Sequence, residues 1–97
     1  MSANLLGELA ANNGTYFLHN ESYVGSFDQI IVRGKGVEVN NIYSRRDGQL
    51  VDVTEEYLST NLVADGLRIT PKNNEVFTEI RVRTTLQYIG VELVLSA

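Results

Sequence analysis

Between Val76 and Leu95 the chain alternates in steps of two, and that period commits a segment to a half-buried sheet rather than a helix. In VFTEIRVR, Val76, Thr78, Ile80 and Val82 share one face, while Phe77, Glu79, Arg81 and Arg83 share the other. After Thr84-Thr85 the alternation restarts in LQYIGVELVL, with Ile89, Val91, Leu93 and Leu95 on one side. Two strands back to back are expected here, with the rest of the chain organised around them.

Upstream, turn signals recur every 8–12 residues or so with short alternating runs between them, the pattern of a sandwich or small barrel. TYFLHN reads as a strand, and ESYVGSFDQIIVR as a longer one that bends or bulges at Gly25. Phe27 and Ile30 cannot both face inward on an unbroken period of two. Either a bulge separates them or the strand is buried on both sides around Ile30-Ile31-Val32. Gly34-Lys35-Gly36 turns the chain into GVEVNNIY, and Asp47-Gly48 is a second turn. Thr54 to Ser59 is the one internal place for a helical turn, with Thr54 as its cap and Glu55 and Glu56 at the positive end of its dipole. Asp65-Gly66 then leads into LRIT, which Pro71 ends. The expected fold is all-β, a small antiparallel β-sandwich or barrel-like domain over residues 15–97.

Residues 1–14 differ in character. Leu5, Leu6, Leu9 and Ala10 fall on one side of a helix of about two turns, too short to be stable alone in water. Such a segment reads as an N-terminal arm that orders against another surface. A frayed end, or a first strand turning at Asn13-Gly14 into Thr15, are the alternatives. Leu5, Leu6 and Leu9, together with Val91 and Leu93 of the last strand, are the expected partner contacts.

Composition narrows the chemistry. The chain has 97 residues with twelve acids against eight bases, a net charge of -4, opposite to what a nucleic-acid binder needs. It has no cysteine, so neither a disulfide framework nor a thiolate metal site is available. His19 is its one histidine, and the acids Asp47, Asp52, Glu55 and Glu56 lack the spacing of a calcium loop. Neither a nucleophile elbow nor a phosphate-cradling loop is present, and neither an enzyme nor a cofactor is expected. The apolar run from Tyr88 to Leu95 includes Glu92 and is far below the roughly 20 residues of a membrane-spanning helix. No membrane association is expected, and the N-terminus lacks the pattern of a signal peptide.

A wider pattern resembles a known class. Gly25-Ser26-Phe27-Asp28-Gln29-Ile30-Ile31-Val32 is followed by Val53-Thr54 with Tyr57-Leu58, then by Ala64-Asp65-Gly66-Leu67-Arg68-Ile69-Thr70-Pro71, then by Val76-Phe77-Thr78-Glu79-Ile80-Arg81-Val82. This order resembles the small β-rich virion proteins of tailed bacteriophages, over about residues 22–95. The late strand of that pattern is usually followed by a glycine-containing turn, where this chain has Thr84-Thr85-Leu86. The resemblance implies a structural protein that decorates or cements a capsid, or a fibre, as a homo-oligomer, foremost a trimer. Its partners would be its own copies and the major capsid protein or another virion protein, and its place the virion, assembled in the host cytoplasm. The alternative is a soluble module that binds carbohydrate or another ligand through surface tyrosines.

Overall fold

In the computed structural model, residues 14–72 and 75–96 are described. They form eight strands: β1 (Thr15–Leu18), β2 (Ser22–Arg33), β3 (Val37–Arg46), β4 (Gln49–Asp52), β5 (Leu62–Val63), β6 (Arg68–Ile69), β7 (Phe77–Arg83) and β8 (Gly90–Leu95). One helical turn, α1 (Thr54–Tyr57), follows β4. The all-β expectation holds, and every pairing is antiparallel.

Hydrogen bonding links the strands into one sheet in the order β1-β8-β2-β7-β3-β4, with β5 added to β3 and β6 to β2. The long strand β2 folds this sheet over on itself. Its first half pairs with β7 through Ser22↔Arg81, Tyr23↔Ile80 and Val24↔Glu79, while its second half pairs with β8 from Phe27 to Arg33. Because β2 and β3 both run antiparallel to β7, a straight β2 would end about 20 Å past Phe77, at about 3.3 Å per residue. Yet β3 starts after only three intervening residues at the Arg83 end of β7, since Glu38 pairs with Arg83. Only reversal at the bend reconciles the two. The register shifts between Val24 and Phe27, and again between Phe27 and Gln29, mark that bend, with Gly25 beside them. The result is two layers: β1, β8, the second half of β2 and β6 against the first half of β2, β7, β3, β4 and β5. Overall extents of 38 × 37 × 19 Å fit two sheets about 10 Å apart.

The core lies between the layers. Leu18, Ile30, Val32, Val91 and Leu93 come from one side, and Val37, Val39, Ile42, Phe77 and Ile80 from the other, all without exposed surface. Phe27 sits with them at the bend. Both readings of the second strand hold at once: a bulge precedes Ile30, and Ile31 on the outer face is also buried.

Three expectations are corrected. The last two strands are not a hairpin, because β2 lies between β7 and β8 and the segment Thr84–Ile89 carries the chain from one layer to the other. Within β7, Ser44 pairs with Phe77 and Tyr43 with Glu79, so Thr78 is an extra residue. This bulge turns Phe77 into the core and leaves Val76 exposed, inverting the simple alternation at that end. Thr54 does not cap α1 either. Val53 holds the cap position, and the Thr54 hydroxyl instead accepts from the Ile42 amide at 2.8 Å and donates to Asp52 Oδ1 at 2.5 Å. The side chain thereby continues the β3 ladder where β4 ends.

Candidate docking surface

The turns β2–β3 and β5–β6 and the loop β7–β8 converge at one pole of the domain. Gly34 and Gly36 (φ 109° and 102°) make the first turn. A Cβ at Gly34 would run into the Ile89 side chain, so this close approach requires glycine. The Gly34 amide donates to Asp65 Oδ1 at 2.8 Å, which ties the first turn to the second. In the second turn the Gly66 amide donates to the Val32 carbonyl at 2.9 Å, and the Val32 amide donates to Leu67 at 2.8 Å. The β7–β8 loop is anchored by Thr84, whose amide donates to Asn20 Oδ1 and whose hydroxyl accepts from the Leu86 amide. His19 holds the loop's far end by donating from Nδ1 to the Ile89 carbonyl at 2.8 Å.

What this scaffold presents is apolar. Leu62 and Leu86 are each 57% exposed, and Tyr88 is 90% exposed. Tyr88 also has φ 67°, a left-handed backbone that a bulky residue adopts only when its surroundings impose it. Between the turns, Lys35, Gly36, Leu62, Val63 and Ala64 line a shallow cavity of about 360 Å³. A Cβ added at Gly36 would lie 4.0 Å from the Leu86 methyl, so Leu86 comes close to the margin of the depression that Leu62 lines. Their burial against a partner would contribute roughly 1.5–3 kcal/mol each in transfer free energy before ordering costs.

At the opposite side a charged cluster is closed upon itself. Arg46 donates to both carboxylate oxygens of Glu56 (2.9 and 2.7 Å) and both of Glu75 (2.7 and 3.0 Å). The Tyr57 hydroxyl donates to Glu75 at 3.0 Å and accepts from the Lys72 amide at 3.0 Å, and Lys72 Nζ bonds the Glu56 carbonyl. The hydrogen bonds from Arg46 hold both glutamates below the usual carboxylate range. Burial pushes the Tyr57 hydroxyl up. The cluster clasps α1 to the end of β3 and to the chain before β7. Next to it a groove of about 620 Å³ is lined by Asn40, Asn41, Asn61, Asp52 and Glu55. Burial opposes ionisation of Asp52, but hydrogen bonds from the Thr54 hydroxyl, the Thr54 amide and the Asn41 amide outweigh it and lower its pKa.

Of the expected partner contacts, Leu5, Leu6 and Leu9 lie outside the described residues. Val91 and Leu93 are corrected: both are wholly buried in the core, because β8 turns that face onto the opposite layer. Ile30 and Val32 are buried in the same way. The five tyrosines form no shared platform. Tyr16 stacks on Tyr23, Tyr57 packs edge-on against Phe77, Tyr43 lies under Arg81, and Tyr88 stands apart. The alternating run LQYIGVELVL puts Leu86 and Tyr88 in the last strand, whereas β8 begins at Gly90 and leaves both in the loop before it; Leu62 lies in the two-residue strand β5, too short to show a period. A scan of protein-family models, a search of curated proteins and a search of solved structures each returned no match to this chain.

Proposed function

We propose that the protein is a structural subunit of a tailed-bacteriophage virion, decorating or cementing the capsid or a fibre as a homo-oligomer. The observation that carries the docking part of this reading is the apolar pole. Leu62 on β5, paired with Glu38 of β3, and Leu86 and Tyr88 in the β7–β8 loop, anchored by Asn20 and His19, stand outward, and the core cluster does not include them. Pre-ordered loops lose little entropy on association, which favours a docking role. The phage part rests on the residue pattern over 22–95, whose segments fall on β2, α1, the turn into β6, and β7. The partner is a neighbouring copy or the major capsid protein, and the segment containing Leu5, Leu6 and Leu9 adds a second point of attachment. Co-sedimentation with shells built from the capsid protein of the same genome tests this. Saturable binding that weakens at least tenfold in Leu86→Asp or Tyr88→Ser, with melting temperature unchanged, is expected. A monomer that stays in the supernatant overturns it.

The groove lined by Asn40, Asn41 and Asn61 favours a second reading, a ligand-binding module for hydroxyl-rich molecules such as sugars. Amides supply both donors and acceptors for such groups. Retention on a glycan array that is lost in Asn61→Ala would select it.

A further inference from the structure

We propose that the apolar pole pairs with the same pole of a second copy about a two-fold axis, each Tyr88 seating in the other copy's depression between Lys35 and Ala64. This rests on the docking reading above and names the chain itself as the partner. A two-fold interface needs every feature to meet its complement on the same patch of the other copy, and this pole holds both halves. The protruding half is Tyr88. Its ring is 90% exposed, and its φ of 67° is a backbone that glycine would take without strain. Among the described residues no ring or hydrogen-bonding partner meets the side chain, and the core cluster does not include it. The receiving half is the depression of about 360 Å³ lined by Lys35, Gly36, Leu62, Val63 and Ala64, roomy enough for one ring. Leu86 comes close to its margin.

Charge favours a second copy as the occupant. The chain carries a net charge of -4, yet its converging segments 34–36, 64–67 and 84–89 contain one base, Lys35, and one acid, Asp65. Two acidic proteins can therefore meet here without opposing like charges. Asp65 accepts the Gly34 amide through Oδ1, and among the described residues neither Asp65 nor Lys35 has an ion-pair partner. Lys35 lines the depression, and Asp65 follows Ala64, which also lines it. The two-fold then sets Lys35 of each copy against Asp65 of the other.

Area sets the strength. Each ring buries about 150–250 Å², and with the leucines beside it the contact stays below the roughly 1,200 Å² at which stable interfaces begin. Pairing of free copies is therefore weak, with a dissociation constant of roughly 0.1–1 mM, and strengthens where copies are held close together.

NMR of the full chain over concentrations that bracket this constant tests the pairing. The amide signals of Gly36, Leu62, Ala64, Leu86 and Tyr88 should move together as concentration rises. Tyr88→Ser and Lys35→Glu should each weaken the pairing about tenfold or more, with melting temperature unchanged. Lys35→Glu mixed with Asp65→Lys should recover a heterodimer, because the reversed charges again face their opposites. Should Asp65→Lys fail to fold, Asp65→Asn decides the same point: it keeps an acceptor for the Gly34 amide, loses only the charge, and should weaken the pairing several-fold. Signals that stay fixed with concentration, or movement that survives both Tyr88→Ser and Lys35→Glu, overturn the inference. A mixture that stays monomeric, or Asp65→Asn with unchanged pairing, overturns the match of Lys35 with Asp65. A free protein that stays monomeric yet sediments with shells through Leu86 and Tyr88 gives the site to the capsid protein, so that this inference falls while the docking reading stands.

Discussion

Phe27 on β2 and Phe77 on β7 stand opposite each other in the ladder with ring centroids 5.7 Å apart, and each lies beside an irregularity of its own strand. Tyr23 meets Phe27 at 5.9 Å and Tyr57 meets Phe77 at 5.0 Å, which extends the row of rings toward β1 at one end and α1 at the other. The bend that brings β2 across the two layers and the bulge that turns Phe77 inward therefore serve one packing event. Each ring pair contributes about 0.5–1.5 kcal/mol beyond burial.

Phe77→Ala should cost about 3–5 kcal/mol, as for other fully buried rings, whereas Val76→Ser should stay within about 0.5 kcal/mol. Urea unfolding of both variants checks the bulge. A larger loss from Val76→Ser would mean that β7 keeps its simple alternation.

Gly90 and Gly48 should respond differently to alanine. A Cβ on Gly90 would strike the Leu18 carbonyl, so β1 must shift away from β8 at a cost of about 2–3 kcal/mol. Gly48 has open space around it, and its φ of 79° makes alanine cost only about 1 kcal/mol. With about 4–8 °C per kcal/mol for a domain of this size, thermal melts should separate the two variants by several degrees.

Acid should loosen the clasp at α1. Glu56 and Glu75 have pKa values lowered by Arg46, so their stabilising effect is present above the ordinary glutamate pKa of about 4.3 and is lost as pH falls through the lowered values. Melting temperature should hold steady from neutral pH down to that range and fall below it. Arg46→Ala should flatten this fall, and a variant with the same acid dependence would detach the effect from the cluster.

Aspartate should discriminate core from surface among the apolar residues of the C-terminal third. Leu93→Asp places an unpaired charge in the core and should unfold the domain, seen as loss of the sheet signal in circular dichroism. Leu86→Asp should melt within a few degrees of the parent, since its side chain is more than half in solvent. An unfolded Leu86→Asp protein would show that the pole supports the fold rather than a partner.

The period of two in IRVR and GVELVL, with Asp47-Gly48 and Gly34-Lys35-Gly36 as breaks, was enough by itself to determine an all-β chain and its turns. These are local properties, set by side-chain alternation and by which residues tolerate positive φ: Asp47 and Gly48, at 53° and 79°, form the turn their identities dictate. Strand partners were another matter. The interposition of β2 between β7 and β8 depends on the reversal at Gly25–Asp28, and alternation reports which residues share a face but not which strand lies beside it. For the same reason Val91 and Leu93 read equally well as partner contacts or as core. Only the layer folded over by β2, by covering that face, decided for the core. The exposure of Leu62, Leu86 and Tyr88 was likewise decided by tertiary structure, because β5 and the β7–β8 loop, distant in sequence, lie outside the space between the layers that the core fills.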